Sequence, residues 1–388
     1  MSNLPKGWSL VELNEICNIN MGQSPKSESY NENNIGLPLI QGNADIKNRK
    51  TLPRTYTSDI TKKCKIGDII MTVRAPVGAI AKSYHNACIG RGVCSITPKE
   101  NNDFLYHFLV GYEDKWDKLS QGSTFTAVNG NDIKKIKLPL PPLEEQKKIA
   151  DILSTVDKKI AFVEENINAT EELKKALMQK LLTEGIGHTE FKDSELGRIP
   201  QSWEVVKFKE ITKVRQGLQI PISKRKKEKC ENCYEYITIQ FIKNNKEVEY
   251  IENPQKTVIC TENDILMTRT GNTGIVVTNV KGVFHNNFFL IDFDRNEISK
   301  EYLVYYLNSN SIQKEILLRA GATTIPDLNH GDFYSIKFIS PPLEEQKQIA
   351  EILSTVDNKL ENLKEKKQSF EELKKGLMQK LLTGEVRV

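Results

Sequence analysis

The chain has 388 residues, a mean hydropathy of -0.46, 27% charged residues and a formal net charge of +4. No apolar run approaches the roughly 20 residues of a membrane-spanning helix, and the opening MSNLPKGWSL lacks the apolar stretch of a secretory signal, so a cytoplasmic protein of two to four domains is expected. A charge excess this small does not by itself mark a nucleic-acid binder, but it lies in the globular segments and not on the long helices expected below.

In chain order, the first segment opens with Pro5, Trp8, Val11, Glu15, Ile16 and Gly22, a set that returns as Pro200, Trp203, Val206, Glu210, Ile211 and Gly217. Residues 68–73 and 87–97 are β-branched runs bounded by Gly, Asn and Pro and predict strands, whereas residues 104–112 predict a helix. At Pro141 begins PPLEEQKKIADILSTVD, which recurs from Pro341 as PPLEEQKQIAEILSTVD. About two-thirds of the positions between Pro141 and Thr183 are identical to those 200 residues later, without a gap.

Each copy predicts one long helix. The Pro pair with Glu144 and Glu145, or Glu344 and Glu345, suits a helix start. Thr183, Glu184 and Gly185, and Thr383 and Gly384, supply the stop. Between them Ile149, Leu153, Val156, Ile160, Val163 and Ile167 form a coiled-coil seam, as do Ile349, Leu353, Val356, Leu360 and Leu363; the step changes at Leu173, Leu177 and Leu181. About 40 residues make a rod of roughly 60 Å. Its apolar stripe needs a partner, and the other copy is the obvious one.

A polar linker, residues 187–198, leads into the second segment, where residues 236–241 and 264–269 predict strands. Residues 301–318 predict a helix with Tyr302, Tyr305, Tyr306, Ile312, Ile316 and Leu317 as core. GDIIMTVRAPVGAI from Gly67 lines up with NDILMTRTGNTGIV from Asn263, and GSTFTAVNGNDIKKIKLPLPP from Gly122 with GATTIPDLNHGDFYSIKFISPP from Gly321. The expected fold class is α+β: two mixed α/β domains, residues 1–140 and 188–340, separated by two long antiparallel coiled-coil helices, residues 141–187 and 341–388, in a pseudo-twofold internal repeat.

The repeated PPLxEQxxIAxxL rods, the Pro-x-x-Trp openings at Pro5 and Pro200, and the Gly-Ser/Ala-Thr stretches before each rod resemble the specificity subunit of type I restriction-modification systems over essentially the whole chain. The resemblance implies a non-catalytic subunit in which two target-recognition domains each read half of a bipartite site in double-stranded DNA. It also implies that the helices pair as a spacer and dock two adenine-N6 methyltransferase (modification) subunits, and that the N-terminal segment completes the architecture beside the last helix. Restriction/translocase subunits would join by family analogy alone. Two other classes stand against this reading: a purely structural coiled-coil scaffold, and a DNA adenine methyltransferase in its own right.

For DNA contacts, basic and amide residues beside turns come first. Arg74 follows the run 68–73, and Arg269 with Thr270, Asn272 and Thr273 occupies the matching place; Arg can take guanine bidentately and Asn adenine. The plain alternative for each is a solvated turn residue. Gln41, Lys82, Arg91 and Gln240 are further candidates. Gln121, Ser123 and Thr124, and Arg319, Thr323 and Thr324, offer groups suited to phosphate. Lys224, Arg225, Lys226 and Lys227, followed by Lys229, are the densest positive charge; such a run is either a solvated loop or a clamp on the DNA backbone. Off the seam of the rods, Ile152, Leu182, Ile352 and Leu382 either cap the local core or dock the methyltransferase, of which two copies follow from the repeat.

Other motifs carry less. Seven cysteines without framework spacing suggest free thiols in a reducing compartment. Cys230 and Cys233 form a single C-x-x-C, and only Cys260 and scattered histidines such as His285 could complete the four ligands of a structural zinc, so no metal or cofactor is expected. Ser340, Pro341 and Pro342 imitate an amino-methyltransferase loop, but Leu343 stands where an aromatic ring would hold the flipped base. No glycine-rich fingerprint for S-adenosylmethionine and no Walker loop occurs. Glu144, Glu145, Glu171 and Glu172 read as helix-surface residues, and no active site is expected.

Overall fold

A computed structural model describes residues 4–120, 127–244, 248–321 and 326–388. The chain forms two compact units, Met1–Asn166 with Leu363–Val388, and Ile167–Asn362, so each long helix contributes to both. Among the described residues no helix is long and apolar enough to cross a membrane.

The two long helices span Leu143–Glu184 and Leu343–Leu381. Their common start has a local cause: the buried side-chain amides of Gln146 and Gln346 reach back to donate to the carbonyls of Pro141 and Pro341, each at 2.9 Å. Acidic first turns favour the positive dipole end, and the left-handed Gly185 and Gly384 follow the last turns.

Within each unit the helices run antiparallel. In the first, Asp157 meets Lys374 at 2.6 Å and Glu164 meets Lys367 at 3.3 Å, later residues of one helix against earlier residues of the other. Ile149, Leu153, Leu381 and Leu382 share its core. In the second, Lys174 meets Asp357 at 2.5 Å, and Ile349 and Leu353 share a core with Leu181 and Leu182. Where the seam changes step, Leu173 and Leu373 are 48% and 49% exposed.

The first unit carries a six-stranded sheet in the order Cys17–Met21, Val93–Pro98, Ile69–Thr72, Ile80–Lys82, Lys50–Thr51, Ile46–Lys47. Beside it a five-stranded sheet includes Leu37–Ile40 parallel to Ala87–Ile89. The second unit repeats the plan with two four-stranded sheets, one around Ile265–Thr268 and Phe288–Phe293, the other around Cys233–Ile237 and Gly282–Phe284. In each unit an antiparallel pair ties the opening of the globular part to its end: Ser9–Glu12 with Lys137–Leu140, and Glu204–Lys207 with Lys337–Ser340. Phe208, stacked on Phe333 at 4.9 Å, centres the second core.

Several expectations are corrected. The run 87–97 is two strands, Ala87–Ile89 and Val93–Pro98, because Gly92 passes so close to the Gln41 carbonyl that a Cβ there would lie 2.1 Å from it. The run 236–241 ends as a strand at Ile237 and continues as the helix Ile239–Asn244, whose Phe241 N–H donates to Thr238 Oγ1. The helix at 301–318 is broken into Lys300–Leu307 and Asn310–Ala320; the Gln313 amide caps the Leu307 carbonyl at 2.7 Å, and Leu317 is 49% exposed rather than core. The linker contains a hairpin, Phe191–Ser194 with Gly197–Pro200. Five cysteines are free and buried, but Cys230 and Cys233 are joined as a disulfide, their Cα atoms brought to 5.1 Å by the turn between them.

One contact between the first globular part and its helices titrates. His107 is 1% exposed; its Nε2 lies 3.1 Å from Ser154 Oγ, and its Nδ1 has no hydrogen-bond partner, Asp157 being 3.9 Å away. Burial pushes its pKa down to about 4, with Lys374 and Lys82 adding to the shift and Asp157 and Asp103 opposing it. An unfolded chain therefore binds a proton that the fold refuses between about pH 6.5 and 4. We expect stability to be fully present above that window and to fall on acidification through it, by about 3 kcal/mol at most from this residue. His107→Gln should flatten the dependence in urea denaturation series; an unchanged pH profile would show that His107 is not its source.

Candidate nucleic-acid interface

In the first unit four loops meet at one end of the sheets. The strand Cys17–Met21 ends at Gly22, whose N–H donates to the Val93 carbonyl at 3.0 Å and where a Cβ would sit 2.2 Å from the Gly90 carbonyl oxygen. The following Gln23 N–H reaches the Ile89 carbonyl at 2.9 Å, and the Arg91 N–H donates to Ser24 Oγ at 3.2 Å. Gln41 packs beside Gly90, in a turn held by buried Asp45, which accepts from the Gln41 N–H at 2.8 Å and from Arg54 at 3.1 Å. Val73 donates to the Gly92 carbonyl at 2.9 Å, and Arg74 follows it, exposed and bridged to Ala127. Gln41, Arg74 and Arg91 are thus brought together, with Arg74 and Arg91 exposed and Gln41 half-buried. Gln23 and Ser24 join them unforeseen; the signal was the matched glycine just before them.

The second unit builds the same end. Gly217 approaches the Phe284 carbonyl so closely that a Cβ would lie 2.2 Å from it, as at Gly22. The turns after Thr72 and Thr268 are also built alike: each hydroxyl donates to a carbonyl four residues on, Pro76 or Asn272, and accepts an N–H seven residues on, from Ala79 or Ile275, both at 2.9 Å.

This likeness corrects the reading of Arg269. In the shared turn Thr270, bridged to Asp327, occupies the place of Arg74, and Arg269 that of buried Val73. A shift of one residue along an extended chain turns the side chain to the opposite face. Arg269 is accordingly 16% exposed, lies 5.5 Å over the Phe289 ring, and donates to both oxygens of Asp327 at 2.9 and 2.7 Å. Thr270 adds a hydrogen bond at 2.5 Å that, with Arg269, holds the Asp327 carboxyl below its ordinary range. Thr273 is buried and donates to the Arg269 and Pro326 carbonyls. These three side chains lock the turn to residues 326–327, and Asn272 alone of the group is exposed.

Other candidates divide in the same way. Lys82 is engaged at 2.5 Å with Asp103 and over the Tyr106 ring, which makes it a packing residue. Arg225 donates to the Ile220 carbonyl and to Glu249 and covers Tyr236, so it is spent on holding its loop. Lys226 pairs with Glu252 at 2.6 Å. Arg319 is held by Glu315 and Ser335. Lys224, Lys227 and Gln240 are exposed, as is Lys229. Gln121, Ser123, Thr124, Thr323 and Thr324 lie outside the described residues. Leu182 and Leu382, expected off the seam, are buried in the cores of the second and first unit and are not free to dock a partner; Ile152 is partly buried against the first core, and Ile352 is 37% exposed. The neighbours that cover the two leucines come from far along the chain: Trp203, Ile349 and Leu353 share the core of Leu182, and Trp8, Ile149 and Leu153 that of Leu382.

The segment that follows each last turn is held by a matched carboxylate on the first turn of the other long helix. Glu145 accepts from the Trp8 indole at 3.1 Å and from Arg387 at 3.0 and 2.7 Å, and these donors hold its carboxyl below the usual range, Arg387 contributing most. Glu345 accepts from the Trp203 indole at 2.8 Å, His188 at 2.7 Å and the Ile186 N–H at 3.0 Å. The N-terminal segment thus completes the first unit beside the end of the second long helix.

A duplicated helical frame bearing two globular parts with matching loop ends and unlike loop residues defines a two-module recognition protein. Comparison with known proteins gives the family: residues 5–172 and 200–372 each match the type I restriction modification DNA specificity domain, and the chain belongs to that family. It is 32% identical over 305 residues to the type I restriction enzyme MjaVIII specificity subunit of Methanocaldococcus jannaschii, covering 74% of this chain and 70% of that one. The MjaIX specificity subunit of the same organism is 25% identical over 426 residues, covering 100% of this chain and 95% of the relative. In fold it resembles the crystal structure of the type I system S subunit from M. genitalium, with a TM-score of 0.63 and 17% identity over 98% of this chain and 97% of that one. A chain from a study of complex assembly and conformational transition in a type I R-M system gives a TM-score of 0.64 at 19% identity, covering 100% of both.

Proposed function

We propose that this chain is the non-catalytic DNA-recognition subunit of a type I restriction-modification complex. Residues 1–140 and 188–340 each read one half of a bipartite site in double-stranded DNA, and the long helices set the gap between the halves. The observation that carries the reading is the repeated loop end, closed at Gly22 and Gly217 on the same backbone plan but presenting different side chains. One frame can then read two unlike sequences, through Gln41, Arg74 and Arg91 in one module and Asn272 and Gln240 in the other. Lys224, Lys227 and Lys229 serve the backbone. Two methyltransferase subunits dock on the helices, where Leu173 and Leu373 give the same exposed apolar position twice; restriction/translocase subunits join through the assembled complex.

Changing Lys224, Lys227 and Lys229 to Gln together should reduce the slope of log affinity against log salt by up to about 2.7, since each neutralised phosphate contributes about 0.9. Sequence preference should be little altered. A full slope in duplex titrations of the variant would remove these lysines from the interface. Incubation of the chain alone with labelled S-adenosylmethionine and DNA should give no methyl transfer; transfer would favour the enzyme reading.

A further inference from the structure

The pair Cys230 and Cys233 has no place in this function, and it stands apart from the other thiols. Cys17, Cys64, Cys88, Cys94 and Cys260 are buried, and burial pushes the Cys17 and Cys94 thiols up to about 12 and Cys260 to about 11, which makes them inert. Cys230 and Cys233 are only half-buried and are joined to each other. They close a turn in which Asn232 takes a φ of +57° and the Cys233 N–H donates to the Cys230 carbonyl at 3.2 Å.

The position of this bond gives it a mechanical consequence. Cys233 begins the strand Cys233–Ile237 and pairs with Glu252, while Cys230 ends the loop that carries Lys224, Lys226, Lys227 and Lys229. The loop is anchored at its other side by Arg225 to Glu249 and by paired backbone bonds of Lys226 with Tyr250 at 2.9 and 2.8 Å. Between that anchor and the strand, the link from Cys230 to Cys233 shortens the free span to residues 227–229, which carry Lys227 and Lys229. The charge along this stretch is divided: Arg225 and Lys226 are paired with Glu249 and Glu252, which leaves Lys224, Lys227 and Lys229 exposed beside Glu228 and Glu231.

We propose that Cys230 and Cys233 are a reversible oxidation site that orders the basic loop of the second module and so sets its affinity for the DNA backbone. The inference rests on the DNA reading above. In the closing step one thiolate attacks a small disulfide of the glutathione class and expels one glutathione thiolate. The second cysteine thiolate then attacks the mixed disulfide at the protein sulfur and expels the other. Two protein thiols are oxidised by two electrons and one glutathione disulfide is reduced to two thiols, so electrons and atoms balance.

Two measurements on the full chain decide it. Equilibration in glutathione redox buffers, followed by maleimide trapping and peptide mass spectrometry, should show Cys230 and Cys233 opening and closing together while the other five stay unlabelled in the native protein. A pair that remains two free thiols at every ratio, or that pairs only with another molecule, overturns the site. Duplex titrations at low salt should then show the oxidised chain binding about three- to tenfold more tightly than the reduced one, the tethered lysines losing less freedom on binding. Cys230→Ser with Cys233→Ser should abolish the difference. Equal affinity of oxidised and reduced chains overturns the coupling. Absence of duplex binding by either form overturns the DNA reading and the coupling with it, while the thiol trapping still reports on the site by itself.

Discussion

Trp203→Ala is expected to lower the unfolding free energy of the second unit by roughly 3–5 kcal/mol, the range for truncating a large aromatic in a packed core. Trp203 is fully buried, packs edge-on to His188 at 5.9 Å, and lies so close under Gly185 that a Cβ there would be 2.5 Å from the ring. Its indole donates to Glu345, so truncation opens a cavity and also takes one of three donors from a half-buried carboxylate. The matching Trp8→Ala should be milder in the first unit, because Trp8 is 7% exposed and Arg387 still holds Glu145 with two hydrogen bonds. Hydrogen exchange resolved by unit checks both. Protection unchanged in Ile167–Asn362 after Trp203→Ala would show that the indole is not a keystone of that unit.

Removing seven residues from the middle of each long helix should shorten the unread gap between half-sites by about three base pairs. Seven residues at ~1.5 Å per residue remove roughly 10 Å of helix, and base pairs stack every ~3.4 Å. A heptad is the right length to remove, since it returns the apolar seam to nearly the same face, drifting by only ~20°. The half-sites themselves should be unchanged, because no loop residue is touched. Methylation mapping in cells carrying the shortened chain and its partner subunits reads both quantities; an unchanged gap would separate helix length from site spacing.

The helical frame was legible in the sequence because two independent signals agreed, an apolar step of three and four and a near-exact copy 200 residues on. The likeness of the two openings was visible in the matched Pro-x-x-Trp segments, but their pairing with the end of each globular part, Ser9–Glu12 with Lys137–Leu140 and Glu204–Lys207 with Lys337–Ser340, joins strands more than 120 residues apart and was not. What sequence could not supply was the fate of individual turn residues. Arg74 and Arg269 both follow a strand of the same pattern, yet one residue of register and the arrival of Asp327 from 58 positions downstream make one exposed and the other a half-buried tie. Leu182 and Leu382 likewise fall off the heptad seam, where the sequence leaves a cap of the local core and a docking position both open, and only the globular part packed over each last turn makes them core. Local pattern fixes which face of an element is apolar; it does not fix what a distant segment lays over it.

The most direct measurement is the methylome of a host carrying this chain with its methyltransferase partners. Modified adenines should fall in two short, unlike, defined half-sites at a constant separation with no preference in between, and replacing residues 188–340 by those of a relative should change one half-site only. A single continuous motif, or an exchange that alters both halves at once, would contradict two modules reading separately on one helical frame.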